Sequence, residues 1–315
     1  MPRIPTKWNF INFIKWINQK EKRITKFLSM GSPVPFDVSL RDGIQSIPFE
    51  KHSEFTLDKK KEIFTNIMRE YLPKHIEIGS IVSPSVLPIM KDSPELFKYA
   101  EKESAKYFRQ PQLYMLIPNI KNLEKAMNIN GLENFSFITS ASNEFQMKNT
   151  KKNLFENKKE IFDMLDFLNN SHLVDKYNVK LYMSCINECP ISGKLENFHV
   201  AEEILKYHHS GVGKICLSDT CGSLDHGDFK EIMYRVNHFG MPLNQFSLHL
   251  HVNPTRIDNV KKIMFSAFDF GITNFDVSEL STGGCSVTMK NKNIYPNLSY
   301  DLYYETLAEY IEYKS

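Results

Sequence analysis

The sequence has few cysteines, and no two of them have the spacing of a structural zinc site. Five cysteines occur in 315 residues, an odd number that argues against a disulfide framework and predicts reduced thiols. The C-x-x-C pairs that structural zinc sites favour are absent. We therefore expect the protein in the cytoplasm or in another reducing compartment.

Long apolar runs and a strong net charge are missing as well. No stretch approaches the length needed to cross a bilayer, so no membrane span is predicted. The formal charge of +2 gives no reason to expect nucleic acid or an anionic membrane as a partner. With 42% hydrophobic and 24% charged residues, the composition is that of an ordinary globular protein with a sizeable core.

Residues 1–30 differ from the rest of the chain because they are basic and amphipathic. Lysine and arginine outnumber acidic residues here, and Phe10, Phe13, Ile14 and Ile17 recur at helical spacing. We predict one added helix that packs on the following domain, with an organelle-targeting sequence or a membrane-surface helix as alternatives. Residues 31–315 are predicted to form a single catalytic domain.

From residue 36 onward, short β-type runs alternate with longer segments of helical periodicity. The predicted strands are Phe36–Leu40, Ile76–Gly79, Leu113–Ile117, Phe135–Thr139, Val179–Ser184, Lys214–Ser218, Phe246–Val252 and Thr273–Val277. Eight β-then-α units predict an α/β fold, the (β/α)8 TIM barrel. A doubly wound sheet is the alternative, but the first turn lacks the G-x-G-x-x-G sequence such sheets often carry.

Polar residues follow the predicted strands at the end where a TIM barrel places its active site. The candidates at these strand ends are Arg41, Asp42, Gln45, Glu77, Ser80, Asn119, Asp219, His249, His251 and Cys285. Each has an ordinary structural alternative, such as a local salt bridge between Arg41 and Asp42 or a turn capped by Asp219. Of these, we predict Arg41, Gln45, Ser80 and Asn119 as substrate contacts.

The seventh predicted strand contains two histidines, His249 and His251, that strand alternation places on one face. Such a pair can converge on one metal ion, and a surface-facing pair on an edge strand is the ordinary alternative. With the carboxylate of Asp42, the imidazoles would supply half of an octahedral shell suited to Mg²⁺ or Mn²⁺. Arg41 is placed to bind a developing enolate oxygen, and the Cys285 thiol to transfer a proton. Together these groups predict an aldol or retro-aldol step.

Eight motifs in the chain resemble those of the 3-hydroxy-3-methylglutaryl-CoA lyases, within the superfamily of metal-dependent DRE-TIM lyases and synthases. In order they are L-R-D-G-I-Q at 40–45, I-E-I-G-S-I-V-S-P at 76–84, P-N-I-K at 118–121, S-A-S-N-E-F at 140–145, S-C-I-N-E-C-P at 184–190, L-S-D-T at 217–220, H-L-H at 249–251 and G-G-C at 283–285. The match covers roughly residues 34–300 and implies a TIM barrel.

The resemblance also implies a role for each matching residue. Asp42, His249 and His251 match metal ligands, and alignment of P-N-L-S at 296–299 adds Asn297 as the fourth. Catalytic roles are implied for Arg41, Asp42, Glu77, Asp219, His249 and Cys285, with Arg41 at the enolate oxygen and Cys285 as the proton-transfer thiol. The implied reaction cleaves a 3-hydroxy-3-methylglutaryl thioester into acetoacetate and acetyl-CoA.

The chain departs from the family pattern near the glycine loop and on the coenzyme A side. The family's G-L-G-G-C reads S-T-G-G-C here, and V-N-P follows the second histidine, where Asn253 is better placed to cap a helix than to bind metal. Two other functions therefore stay open: a non-catalytic metal-binding barrel with a regulatory or binding role, and an aldolase for 4-hydroxy-2-oxo acids. The expected partners are a small acyl-CoA substrate and, as in many relatives, a second copy in a homodimer.

Overall fold

The computed structural model describes residue 5 and residues 7–170, 177–284 and 294–315. Within these residues, parallel strands close into a barrel in the order β1-β10-β9-β8-β5-β4-β3-β2. The barrel strands are β1 (Phe36–Asp37), β2 (His75–Ser80), β3 (Gln112–Leu116), β4 (Asn134–Ser140), β5 (Asn178–Ser184), β8 (Lys214–Asp219), β9 (Phe246–Leu250) and β10 (Phe275–Val277). The predicted (β/α)8 barrel is confirmed.

Helices connect consecutive barrel strands and form the outer layer. They are α3 (Leu57–Glu70), α4 (Ser93–Ser104), α5 (Ile120–Ala126), α6 (Asn143–Thr150), α7 (Leu154–Asn169), α8 (Asn197–Leu205), α9 (His226–His238), α10 (Ile257–Asp269) and α11 (Tyr300–Lys314). A two-stranded hairpin, β6 (Glu188–Cys189) and β7 (Gly193–Lys194), lies between β5 and α8. The apolar faces of helices and strands share one core, in which Phe64, Ile263 and Leu248 are each fully buried.

The first strand is shorter than the predicted Phe36–Leu40. It ends at Asp37 and leads into a π-helical turn over Ser39–Gly43, in which the Gly43 N–H donates to the Val38 carbonyl at 3.0 Å. This turn carries the R-D-G sequence into the barrel mouth. The predicted seventh strand, Phe246–Val252, ends early as well, because the Val252 N–H donates to the Pro296 carbonyl at 2.8 Å instead of extending the sheet.

The N-terminal segment is helical as predicted, and it forms two short helices instead of one. Helix α1 (Phe10–Ile17) ends where the N–H groups of Asn18, Gln19 and Lys20 turn back onto carbonyls of its last turn, and α2 (Glu21–Ser29) follows. Both helices pack on α11. The Phe13 and Tyr304 ring centroids are 5.2 Å apart, and Arg23 donates to Glu312 at 2.6 Å. These contacts favour the packed-helix interpretation of the segment.

Within the part of the chain that the structure describes, no helix is both long and apolar enough to cross a bilayer.

Candidate active site and metal centre

His249 and His251 lie at the mouth of the barrel and are 4% and 5% exposed. The edge-strand alternative is wrong, because β9 pairs with β8 on one side and β10 on the other. Strand alternation sends Phe246 and Leu248 into the core between strands and helices, whereas both histidines line the cavity inside the mouth. The pair therefore faces the position where a TIM barrel carries out its chemistry.

The hydrogen-bond partners of the two imidazoles determine which ring nitrogen carries hydrogen. Nδ1 of His249 lies 3.0 Å from a carboxylate oxygen of Asp276, and Nδ1 of His251 lies 3.0 Å from the Tyr295 carbonyl oxygen. Both neighbours can only accept, so each Nδ1 is the donor. Burial, followed by the neighbouring imidazole of His249, lowers the pKa of His251 to about 4, which keeps this ring neutral.

The Nε2 atoms of His249 and His251 face each other across 3.2 Å, and Oδ2 of Asp42 lies 3.7 Å from Nε2 of His249. The ligating atoms of Asp42, His249 and His251 all lie within 4.8 Å of one another. With hydrogen on Nδ1, a neutral imidazole presents a lone pair at Nε2, so these three groups can offer a cation one carboxylate oxygen and two ring nitrogens. Carboxylate oxygen and imidazole nitrogen are also ligands that divalent metals accept, so the residues fit a metal ion.

Asp42 is held in place from two sides. Arg41 donates to its Oδ1 at 2.6 Å, and the backbone N–H of Gly284 donates to its Oδ2 at 2.9 Å. Burial acts to raise the pKa of Asp42, but the charge of Arg41 and the neighbouring imidazoles of His249 and His251 bring it below its usual range. Asp42 is therefore a carboxylate over the whole physiological pH range.

Asn297, the fourth predicted ligand, forms an isolated β-bridge with His251. The residue is 3% exposed, yet neither its Oδ1 nor its Nδ2 has a hydrogen-bond partner among the described residues. A buried amide without partners is unusual and costs about 1–3 kcal/mol. Its place beside His251 fits an amide whose oxygen binds a metal ion, and its assignment as the fourth ligand stays a prediction.

The glycine pair at 283–284 packs directly on this cluster. A Cβ on Gly283 would lie 2.4 Å from Nδ2 of Asn297, and one on Gly284 would lie 3.6 Å from Cε1 of His251. The segment is tied to the turn after β1, because Gly283 N–H donates to Ser46 Oγ at 3.0 Å and Thr282 Oγ1 donates to the Gly43 carbonyl at 2.5 Å. At Gly283 the Asn297 side chain leaves no room for a Cβ, and at Gly284 the φ of +99° favours glycine.

We expect Gly283→Ala to weaken divalent-metal binding, because the added methyl group would displace the Asn297 side chain. The backbone at Gly283 has φ +152°, so the variant also carries a strain of about 1–3 kcal/mol. Gly271→Ala is the matched control, since Gly271 has φ +78° and nothing within 4 Å of its added Cβ. Both variants should unfold at lower temperature, and only Gly283→Ala should bind Mn²⁺ more weakly in calorimetric titration. Equal Mn²⁺ affinities would show that Asn297 is not a ligand.

Arg41 joins the metal cluster to a second buried group. Its Nε donates to Oε2 of Glu77, which also accepts from the Tyr182 hydroxyl at 3.1 Å, and the guanidinium lies 4.8 Å from the centroid of the Tyr182 ring. Burial acts to lower the pKa of Arg41, but the Glu77 carboxylate, followed by Tyr182 and Asp42, keeps it well above its usual value. Arg41 is thus a fixed cation beside the cluster.

A cavity of about 160 Å³ opens at this end of the barrel. Arg41, Asp42, Gln45, Ser80, His249 and His251 line it together with apolar side chains such as Leu116, Ile138 and Phe145. Ser80 is partly committed, because its hydroxyl donates to the Leu116 carbonyl at 3.0 Å. Gln45 and Ser80, two of the predicted substrate contacts, therefore line the cavity in which a ligand would bind.

Four described residues of the predicted site, Glu77, Asn119, Asp219 and Asn297, do not line this cavity, and two of them, Asn119 and Asp219, act as caps. Asn119 caps α5, its Oδ1 accepting from the Asn122 N–H at 2.9 Å, and its assignment as a substrate contact stays a prediction. Asp219 accepts from the N–H groups of Ser223 and Leu224 at 3.0 and 3.1 Å, which is the turn-capping alternative. Burial raises the pKa of Asp219 to about 6. Both side chains therefore accept hydrogen bonds from backbone N–H groups that follow their strands.

Cys285 lies outside the described residues, so its predicted role as a proton-transfer thiol stays a prediction. Asn253 is described, and its Oδ1 accepts from the Thr255 N–H at 3.0 Å at the start of a 3₁₀ turn, as a capping residue does. The V-N-P departure after the second histidine therefore leaves the cluster intact.

Sequence reasoning missed two charged residues, Lys180 and Asp276. Both lie inside strands that were identified from their apolar pattern, and both are almost fully buried in the barrel interior. Burial acts to raise the pKa of Asp276, but the Lys180 charge and the His249 contact lower it below its usual range. The sequence did carry a signal for them, because each is a charged residue inside a predicted strand of the barrel.

A closed barrel with an Asp-His-His cluster and a fixed arginine at its mouth defines a barrel enzyme of the lyase type. The family model described as HMGL-like matches residues 33–255. The mitochondrial hydroxymethylglutaryl-CoA lyases of Macaca fascicularis and Homo sapiens are each 30% identical over 249 residues, which is 79% of this chain and 71% of theirs. The chain belongs to the HMGL-like family and is a hydroxymethylglutaryl-CoA lyase-like carbon–carbon lyase.

Solved structures show the same fold. The hydroxymethylglutaryl-CoA lyase of Pseudomonas aeruginosa superposes with a TM-score of 0.73 at 22% identity, covering 89% of this chain and 86% of that one. The enzyme of Acinetobacter baumannii, solved in complex with coenzyme A and 3-methylmalate, gives a TM-score of 0.70 at 22% identity over 89% and 88% of the two chains.

Proposed function

We propose that this protein cleaves 3-hydroxy-3-methylglutaryl-CoA, or a closely related hydroxyacyl-CoA, to acetoacetate and acetyl-CoA. The observation that carries the proposal is the convergence of three metal-ligating groups, Asp42, His249 and His251, beside Arg41 in one cavity. The names of the relatives and the coenzyme A bound by one structural neighbour support the thioester class.

A divalent cation, Mg²⁺ or Mn²⁺, would be held by Asp42, His249, His251 and Asn297. When bound, it would supply a Lewis acid that polarises the oxygens of a chelating substrate. The remaining cavity wall is mostly apolar, and this suits the methyl-bearing carbon of the acyl group.

The cleavage balances with groups on this chain. The hydroxyl on C3 loses its proton to Oδ1 of Asp42, the carboxylate oxygen on the Arg41 side, the C2–C3 bond breaks, and C3 becomes the ketone of acetoacetate. The electron pair stays on C2 as the enolate of acetyl-CoA, whose oxygen the Arg41 guanidinium stabilises. Protonation of C2, the role proposed for Cys285, completes acetyl-CoA.

The test is to incubate the purified protein with Mg²⁺ and 3-hydroxy-3-methylglutaryl-CoA and to measure acetoacetate. We expect product to form with the metal, to stop after chelation and to return when Mn²⁺ is added. Turnover of other hydroxyacyl-CoA thioesters alone would overturn the substrate assignment while keeping the lyase.

The same assay separates the two remaining functions. Turnover confined to 4-hydroxy-2-oxo acids would identify an aldolase. Mn²⁺ binding without turnover of any of these substrates would identify a non-catalytic metal-binding barrel and would contradict the proposal.

A further inference from the structure

A line of three buried polar side chains crosses the barrel interior to reach the metal cluster. Nζ of Lys180, on β5, lies 2.5 Å from Oδ1 of Asp276 on β10, and Oδ2 of Asp276 lies 3.0 Å from Nδ1 of His249 on β9. The three residues are 2%, 1% and 4% exposed. Oδ1 of Asp276 thus contacts the ammonium group on β5, and Oδ2 contacts the imidazole on β9.

Lys180 is fixed by its surroundings as well as by Asp276. Its ammonium group lies 3.4 Å from the ring centroid of Phe36 and 4.6 Å from that of Tyr182. A buried ion pair contributes little to stability compared with well-packed apolar side chains. Its presence in the barrel interior therefore calls for a role other than stability.

We propose that Lys180 and Asp276 are positioning residues that hold His249 with hydrogen on Nδ1 and with Nε2 free toward the cluster. Lys180 holds Oδ1 of the ionised carboxylate and thereby orients Oδ2, which can only accept, toward Nδ1 of His249. The proposal rests on the proposed function, because it concerns the same metal cluster. It goes further by assigning roles to two residues that the reaction itself does not touch.

Asp276→Asn separates this role from a merely structural one. The Lys180 ammonium can only donate, so the new amide must turn its oxygen to Lys180 and its NH₂ to Nδ1 of His249. His249 then accepts at Nδ1 and carries its hydrogen on Nε2, where a metal would bind. We expect Mn²⁺ affinity in calorimetric titration to fall about 10–100-fold, the usual effect of losing a ligand's hydrogen-bond partner.

A second substitution should restore the affinity. In Asp276→Asn with Lys180→Met, no ammonium dictates the amide orientation, so its oxygen can accept from Nδ1 of His249 again. We expect the double variant to bind Mn²⁺ several-fold more tightly than Asp276→Asn. A double variant that binds no better than Asp276→Asn overturns the role of Lys180.

Asp37→Asn is the matched control, since Asp37 is a fully buried carboxylate on the neighbouring strand β1. It accepts from the Tyr300 hydroxyl at 2.8 Å and contacts neither histidine. This variant should keep the Mn²⁺ affinity of the unmodified protein. An equal loss in Asp37→Asn would show that any buried change disturbs the cluster and would overturn the proposal.

Nitrogen NMR of the imidazoles reads the tautomer directly and needs neither metal nor substrate. We expect His249 to carry hydrogen on Nδ1 in the unmodified protein and on Nε2 in Asp276→Asn. The opposite tautomer in the unmodified protein overturns this inference. Failure of the lyase assay with the expected tautomers would instead overturn only the proposed function.

Discussion

Arg41→Met should lower turnover of the hydroxyacyl-CoA by about 10²–10³-fold, the usual effect of removing one donor that stabilises a developing oxyanion. The guanidinium lines the cavity next to Asp42 and is held there by Glu77. Methionine fills much of the same space but has no charge and no donor. The measurement is kcat for acetoacetate formation at saturating Mg²⁺.

Two further variants make this result specific. Arg23→Met removes another buried arginine, 2% exposed and paired with Glu312, from the surface between α2 and α11. It should reduce thermal stability and leave kcat unchanged. Arg41→Lys keeps a positive charge between Asp42 and Glu77 if Arg41→Met fails to fold, and it should still be slow because lysine lacks the planar fork. Turnover within a few-fold of normal in both Arg41 variants would contradict the proposed role.

His251→Ala should weaken Mn²⁺ binding by more than 10²-fold and abolish metal-dependent turnover. The substitution deletes one of the three converging acceptors, and this loss should exceed the roughly 10–100-fold expected when only a ligand's hydrogen-bond partner is removed. Calorimetric titration with Mn²⁺ gives the affinity directly, independent of any assay for substrate cleavage.

His226→Ala is the control for this variant. His226 begins α9, away from the cavity lining, and its Nε2 contacts Ser266 Oγ at 2.7 Å. Its loss should leave Mn²⁺ affinity unchanged. Equal affinities in His251→Ala and His226→Ala would mean that the cluster at the barrel mouth is not the metal site.

Local periodicity was enough to predict the barrel and to identify the histidine pair. Strand alternation placed Phe246 and Leu248 opposite His249 and His251, and both pairs lie where that pattern requires. Alternation depends on backbone geometry alone, and therefore a single strand reveals it. The predicted barrel placed Arg41 and Asp42 after the first strand, and both lie in the π-helical turn that follows β1.

Partnerships between distant segments could not be predicted in this way. The position after a strand makes a side chain available to the cavity, but Asn119 and Asp219 instead bond to backbone N–H groups a few residues further on. Lys180 and Asp276 are 96 residues apart, and only the closed barrel brings them together. Whether a polar side chain faces the cavity or caps a nearby helix or turn depends on its three-dimensional surroundings, and residue spacing in the sequence does not encode these.

The glycine segment that ties the last barrel unit to the first has a consequence for how the chain folds. The hydrogen bond from Gly284 to Asp42 joins residues 242 positions apart, and those from Gly283 and Thr282 span 237 and 239 positions. Such contacts form only after the entropy of closing nearly the whole chain into a ring has been lost. The ligand cluster is thus complete only in the closed barrel, and a nascent or truncated barrel lacks it. A metal bound there would stabilise the closed barrel over every open intermediate.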